Sequence, residues 1–368
     1  MRKFKILYLS SGASVHTIRW VNSLSKKSNI TINLVSQQKL VDNLSEKVIF
    51  NLLPFRGSLG YILNIFKLKK IIKDWEPDLI HASYASGYGF TANLLNFHPL
   101  VLSVWGSDIF EFPRKSYIHR KLIELNLNNA DVISSTSFVM AKEINNLVKN
   151  KKVVITPFGI DINQFKNNKT LKKEEIITIG TIKNLSKIYG IDILIKGFAI
   201  AYKKLIKKDL ALAKKMRLKI VGSGDQKQIL LDLISSLNLK DIVSLKDRVK
   251  HNLVPLEMEE ISIFCALSRQ ESFGVAVLEA SALGIPVIVS NKGGLPEVVI
   301  NEKTGLIIDN LNPECASKAI IRLVRDYEFR RFLGSNGREF VSKKYNWNDS
   351  LDIINKIYQT LLIKKNNI

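Results

Sequence analysis

The 368 residues are too many for one ordinary core and suit two domains of roughly 150 to 200 residues each. An apolar fraction of 46% with 24% charged residues excludes a mostly disordered chain, and no run approaches the roughly 20 apolar residues of a membrane helix. The formal charge of +22, of which +11 lies in residues 1–160, calls for anionic partners; without a basic tail or aromatic-interleaved basic segments, an anionic membrane surface or a phosphate-bearing acceptor is expected rather than nucleic acid.

The chain opens on a short apolar run, Ile6 to Leu9, closed by Ser10-Ser11-Gly12. The run is too short for a secretion signal, so it reads as a buried strand, and a cytoplasmic protein is expected, peripheral on the inner membrane face where the basic surface meets lipid. Further strand patterns at Ile32 to Val35, Leu79 to Ile80, Leu100 to Val104 and Val132 to Ser134 alternate with helical ones, which predicts a parallel sheet with helices on both faces. Between them, Ile62 to Trp75 places Ile62, Ile65, Phe66, Leu68 and Ile72 near one side and Lys67, Lys70 and Lys73 toward the other, an amphipathic surface helix. His81 and Trp105-Gly106-Ser107-Asp108 fall at strand ends, where open α/β sheets place ligands, and His16 begins the first helix. Arg114, Lys115, Arg120 and Lys121 form a basic cluster suited to a membrane surface.

After Val153 to Ile155, Thr156-Pro157-Phe158-Gly159-Ile160-Asp161 punctuates a strand end, and a lysine- and asparagine-rich stretch runs to Glu175, where the boundary between domains is expected. A second alternating series follows, with strands at Ile176 to Ile179, Leu218 to Val221, Ile261 to Cys265 and Pro286 to Val289. Helical patterns close the chain at residues 312–326, 329–344 and 348–363. Cys265 and Cys315, both in apolar contexts, imply no disulfide framework.

The densest chemistry lies in Glu271 to Gly284. A helix starting near Phe273 would aim the backbone N–H groups of Ser272, Phe273, Gly274 and Val275 at an anion such as a pyrophosphate. Glu279 lies inside an otherwise apolar helix and needs partners, which the two hydroxyls of a ribose would supply; a lysine is the structural alternative. Glu271 stands at the mouth of the same site, where it would accept from sugar hydroxyls. No Asp-x-Asp occurs and the five histidines form no ligand-spaced cluster, so neither a metal nor another cofactor is expected.

This Glu-x7-Glu spacing, followed by Gly284-Ile285-Pro286-Val287-Ile288-Val289 and Gly293-Gly294-Leu295-Pro296-Glu297, resembles the retaining glycosyltransferases of family four. Residues 156–161 resemble that family's linker, Ile220-Val221-Gly222-Ser223-Gly224 its glycine turn, and Asn301 to Ile307 its "nGxTG" segment. The resemblance implies an α/β protein of the GT-B class: two Rossmann-like domains with a cleft between them, an acceptor domain at 1–160 and a donor domain at 161–345, with 346–368 a terminal helix packing back on the first. It implies a retaining, metal-independent hexosyltransferase that moves sugar from a UDP- or GDP-linked donor to a saccharide or lipid-linked saccharide acceptor in cell-surface polysaccharide synthesis. By residue, it assigns Lys183 and Lys187 to neutralising the donor pyrophosphate, Arg248 and Val249 to the nucleobase, and Gly12, Gly180, Gly222 and Gly224 to the donor's surroundings. His16, His81, Trp105 and Asp108 fall on the acceptor side, with Trp105 standing where many relatives have histidine. A sugar-nucleotide epimerase and a non-catalytic sugar-nucleotide or nucleic-acid binding module are the alternatives.

Overall fold

The computed structural model describes residues 3–165 and 175–366, with side chains to residue 363. The lysine- and asparagine-rich stretch expected at the boundary includes residues 166–174, which lie outside the described residues. The chain divides into two compact units, residues 1–157 with 348–368, and residues 158–347.

The first unit is built on seven strands, β1 (Phe4–Leu9), β2 (Ile30–Ser36), β3 (Val48–Leu52), β4 (Leu79–Ser83), β5 (Leu100–Val104), β6 (Val132–Ser135) and β7 (Val153–Ile155), in the order β3-β2-β1-β4-β5-β6-β7. The second contains β8 (Ile177–Ile182), β9 (Met216–Val221), β10 (Val243–Lys246), β11 (Ile263–Ala266), β12 (Val287–Ser290) and β13 (Leu306–Ile308), in the order β10-β9-β8-β11-β12-β13. The pairings are parallel in both sheets. A parallel sheet needs cover on both faces, which explains why the central strands β4, β5 and β12 are apolar-rich and buried along their whole length.

Each order reverses once, between β1 and β4 in the first unit and between β8 and β11 in the second. At such a reversal the connecting helices leave toward opposite faces and open a crevice beyond the carboxyl ends of the strands. The local sequence then decides what occupies each crevice.

The last helix, Trp347–Asn366, belongs from Asn348 onward to the first unit. Its fully buried Tyr358 reaches His81 on β4, and Lys27 pairs with Asp352 at 2.6 Å. The two chain crossings lie side by side: Ile160 N–H donates to the Tyr345 carbonyl at 2.7 Å and Trp347 N–H to the Ile160 carbonyl at 3.1 Å.

One expected helix is corrected. In place of a single helix over 62–75, the chain forms Gly57–Leu63 and Ile65–Trp75, joined at buried Asn64, whose side chain donates to the Phe55 and Gly60 carbonyls. Leu68 and Ile71 fill the core, whereas Ile62 and Phe66, assigned by periodicity to the apolar side, are 50% and 85% exposed. Periodicity identified an apolar face but not which face the core would take.

Candidate active site

In the second unit the crevice lies beyond β8 and β11. Lys183 is the first residue after β8, and its amide N–H donates to the Val221 carbonyl of β9 at 3.0 Å, so the strand ladder fixes its backbone. Glu271 lies in the loop that follows β11. The Lys183 Nζ donates to Glu271 Oε2 at 2.6 Å, with only 13% and 10% of the two side chains exposed. Ser268 Oγ donates to the same oxygen at 3.2 Å, and the Lys183 ammonium lies 4.8 Å from the centre of the Tyr189 ring. Burial acts to lower the lysine pKa, but the charge of Glu271, Tyr189, the Glu271 hydrogen bond and the charge of Glu279 outweigh it, so the ammonium is held above the ordinary lysine range.

The Glu271 loop is held from beneath. Gly293 has φ 58°, and a Cβ there would lie 1.9 Å from the Glu271 carbonyl oxygen, so only glycine lets the two backbones meet. Gly294 N–H donates to that carbonyl at 2.9 Å, and Ser290 Oγ donates to the Ser268 carbonyl at 2.6 Å. On the other flank Arg269 donates to both Asp192 oxygens, at 2.9 and 2.7 Å, and to the Lys187 carbonyl at 2.5 Å. Burial pushes the Asp192 pKa up and this bidentate pairing more than reverses it, leaving the carboxyl below its usual range.

The helix following the loop is Val275–Ala282, two residues later than the expected start, with left-handed Gly274 (φ 108°) at its cap and no capping side chain. Phe273 turns inward, 2% exposed, against Phe158 and Tyr345. It anchors the loop in the core while the backbone amides of the first turn stay at the sheet's carboxyl edge. Glu279 is 5% exposed on this helix; His251 Nε2 is 4.0 Å from its Oε1, and its charge reaches Lys183.

The structure therefore brings Lys183, Glu271, Ser272, Gly274, Val275 and Glu279 to one edge. Gly222 and Gly224 serve a close chain approach: a Cβ at Gly222 would sit 1.8 Å from the Lys183 carbonyl and one at Gly224 2.3 Å from the Leu185 carbonyl. They seat the loop after β8 on the loop after β9. Ser223 between them accepts from the Arg248 amide at 3.1 Å, while the Arg248 side chain is exposed and Val249 half-buried. Lys187 is exposed, with its carbonyl held by Arg269. Gly180 lies within β8 under the Ile261 side chain, three residues before Lys183.

In the first unit Gly12 packs the loop after β1 against Gln38, and His16 meets the Trp105 ring edge-on at 6.3 Å. Tyr84, in a left-handed conformation (φ 70°), also stands edge-on to Trp105, at 5.5 Å. Asp108 is 1% exposed and accepts from the Ala85, Trp105 and Gly106 amides at 2.9, 3.2 and 2.8 Å. Burial raises its pKa although those bonds act to lower it. His81 is also an interior residue: Nε2 pairs with Ser103 Oγ at 2.7 Å, Nδ1 with the Tyr358 hydroxyl, and burial lowers its pKa to about 3. Both groups fasten the fold beneath the edge and do not face solvent.

Sequence reading missed Ser268, Tyr189, His251 and the Arg269–Asp192 clamp. Ser268 lies three residues from Glu271 and was within reach of a loop argument; Arg269 and Asp192 are 77 positions apart and carry no local signal.

Residues 5–137 match the family described as "Glycosyl transferase 4-like", and residues 159–340 match "Glycosyl transferases group 1". The chain belongs to the glycosyltransferases. An uncharacterized glycosyltransferase of Methanocaldococcus jannaschii is 28% identical over 354 residues, 94% of each chain. The capsular polysaccharide biosynthesis glycosyltransferase CapM of Staphylococcus aureus is 24% identical over 389 residues, 98% of each. Among solved structures, Anabaena HepE in complex with UDP-glucose has a TM-score of 0.78 at 17% identity, covering 97% of this chain and 100% of that one. The fold of this glycosyltransferase is accordingly GT-B, two α/β units each built on a parallel sheet.

Proposed function

We propose that this glycosyltransferase transfers a hexosyl group from a nucleotide sugar to a saccharide or lipid-linked saccharide acceptor in polysaccharide synthesis, with retention of configuration and without a metal. The observation that carries the reading is the buried Lys183–Glu271 pair at the switch-point crevice, beside the uncapped start of Val275–Ala282. HepE with UDP-glucose and CapM in capsular polysaccharide synthesis support the substrate class.

In the reaction the bond between the sugar C1 and the phosphate oxygen breaks, a bond from C1 to the acceptor oxygen forms, and the acceptor proton passes to the departing phosphate on the same face. Negative charge grows on the leaving diphosphate, and a preorganised cation with backbone N–H groups stabilises it more than the ground state. Lys183 is that cation, and Lys187 adds charge from the exposed rim. Glu271 keeps Lys183 protonated and aimed, and accepts from donor-sugar hydroxyls. Glu279 accepts from the ribose hydroxyls, and the Arg248–Val249 backbone borders the base. Metal independence rests on the lysine supplying the charge that a divalent ion would otherwise supply; among the described residues no group of three His, Cys, Asp or Glu is placed to hold one.

The test is a screen of nucleotide sugars for thermal stabilisation, where a ligand at 100 times its Kd adds about 2.7 kcal/mol, followed by turnover with a saccharide acceptor in excess EDTA. Nucleotide diphosphate released in step with glycosylated acceptor, at the same rate with chelator, is the expected result. Activity lost to EDTA and restored by magnesium or manganese defeats metal independence, and conversion of the donor sugar without any acceptor identifies an epimerase.

A further inference from the structure

The two helices Gly57–Leu63 and Ile65–Trp75 of the first unit present an apolar stripe outward. Leu59, Ile62, Leu63 and Phe66 follow the i, i+3, i+4, i+7 spacing of one helix face, and they are 70%, 50%, 47% and 85% exposed. The helical ladder continues through the junction, with Asn64 N–H on the Gly60 carbonyl at 3.2 Å and Leu68 N–H on the Asn64 carbonyl at 2.9 Å, so the four side chains stay on one face. The inner face is already filled by Leu68 and Ile71. Single exposed apolar residues are ordinary on a protein surface, whereas a contiguous stripe marks a surface that meets something.

The charges beside the stripe decide what it meets. Arg56, Lys67, Lys69, Lys70 and Lys73 lie on the same segment, and no Asp or Glu occurs between Glu46 and Asp74. Among the described residues none of these five cations has a carboxylate within 4.0 Å. A second copy docked on this face by two-fold symmetry would bring five cations against the same five. An anionic lipid surface satisfies both halves: phenyl and leucyl groups enter the boundary between headgroups and acyl chains, and lysines lie over their own methylene stems to reach the phosphates. We infer that the stripe Leu59–Ile62–Leu63–Phe66 with its flanking lysines is the membrane-docking surface of this enzyme, and that it binds anionic phospholipid.

The basic cluster singled out in the sequence around the helix Tyr117–Asn129 is a weaker candidate. Tyr117 and Ile118 are 73% and 77% exposed, but Glu124 takes Arg120 at 2.9 Å and Lys121 at 2.7 Å, and Glu143 lies 3.7 Å from Arg114. Its cations already have protein partners. Among the described residues no helix is long and apolar enough to cross a membrane, so lateral docking is the mode this surface offers.

The experiment is flotation of the full chain with phosphatidylcholine vesicles and with phosphatidylcholine/phosphatidylglycerol vesicles, at low and raised salt, without nucleotide or sugar. Wild type is expected on the anionic vesicles and to come off as salt rises. Leu59→Ser with Phe66→Ser should lower the partition about tenfold or more, Lys67→Gln and Lys70→Gln about fivefold each, and Ile118→Ser should change nothing. Because Phe66 is solvent-exposed, its replacement leaves the core intact, and Phe66→Trp gives a direct reporter whose emission should shift to the blue on anionic vesicles. Equal flotation of wild type and the double serine variant, equal binding to neutral vesicles, or an unshifted Phe66→Trp emission overturns the inference. So does a wild-type dimer that the double serine variant splits, which would give the stripe to a second copy. With no substrate in the assay, a negative result leaves the transferase reading untouched, and failure of that reading leaves the docking result standing.

Discussion

The two sheets of this enzyme reverse strand order in the same way, yet the polar groups at and beneath their carboxyl edges are of opposite character. In the first unit His81 and Asp108 are buried and spent: both imidazole nitrogens are engaged, and the carboxylate holds three backbone amides. In the second unit Lys183 and Glu271 pair directly, and the charges of Glu271 and Glu279 act on the lysine against its burial. A buried ionisable group is therefore uninformative until its partners are counted. Groups tied to neutral hydroxyls and backbone amides fasten the fold, whereas a lysine and two carboxylates coupled at a crevice can exchange partners when a charged ligand arrives.

Lys183→Ala is the harshest test of that contrast. It removes the cation and leaves Glu271, already 90% buried, with Ser268 as its remaining described partner. Turnover should fall about 10²- to 10³-fold, the cost of losing one preorganised group that stabilises developing charge, with partial recovery in Lys183→Arg. Undiminished turnover in Lys183→Ala would reduce the pair to a structural ion bridge.

The two glutamates should then separate. Glu279→Gln replaces an ionised acceptor with one that also carries a donor, so nucleotide diphosphate binding should weaken by about 1.5 to 3 kcal/mol. Glu271→Gln should leave that affinity nearly unchanged and lower kcat, because its interaction serves the reacting sugar and the lysine aimed at it. Calorimetry with single-turnover kinetics on both variants checks this; wild-type affinity and turnover in both would show that the spacing serves only packing.

The first unit should respond in stability and not in nucleotide affinity. Tyr358→Phe deletes the hydroxyl that meets His81 Nδ1 and strands a buried nitrogen, which costs about 1 to 3 kcal/mol. Denaturant unfolding should show the loss and titration with nucleotide diphosphate should show none. A variant as stable as wild type would mean that the hydroxyl of Tyr358 does not help to hold the terminal helix.

Much of this division is legible in the sequence. Alternating strand and helix patterns gave both parallel sheets, because buried parallel strands read as short apolar runs; Glu279 stood out from an apolar helix, Glu271 from its place ahead of that helix, and Lys183 only through the family resemblance. His81 misled because the apolar pattern ends its strand at Ile80, whereas β4 runs to Ser83 and places it mid-strand, and its partners, Ser103 and Tyr358, lie 22 and 277 positions away. The helix start near Phe273 was visible locally, but the inward direction of its ring, for which the sequence offered no signal, depends on Phe158 and Tyr345. For the helices at 57–75, the apolar period was legible; that core and solvent each claim an apolar face was not, because only tertiary packing distinguishes Leu68 from Phe66.

The gentlest probe of the comparison is acid, because a group that serves only the fold should report itself in stability alone. Burial depresses the His81 pKa to about 3, so the folded state keeps the ring neutral over a range where the unfolded chain, near the ordinary 6.5, takes up a proton. The sign follows from that difference: the unfolded state binds more protons below 6.5, so stability is complete above this value and falls as pH drops from 6.5 toward 3. Once well below 6.5 the loss approaches about 1.4 kcal/mol per pH unit. Other groups titrate in the same window, so the informative quantity is the difference in slope between wild type and His81→Gln. That variant should be less stable at pH 7.5 but lose less on going to pH 5.5, with the two unfolding curves converging as acid is added. Parallel curves would mean that His81 is protonated in the folded state, and the claim that the first unit's edge holds its histidine neutral and spent would fail.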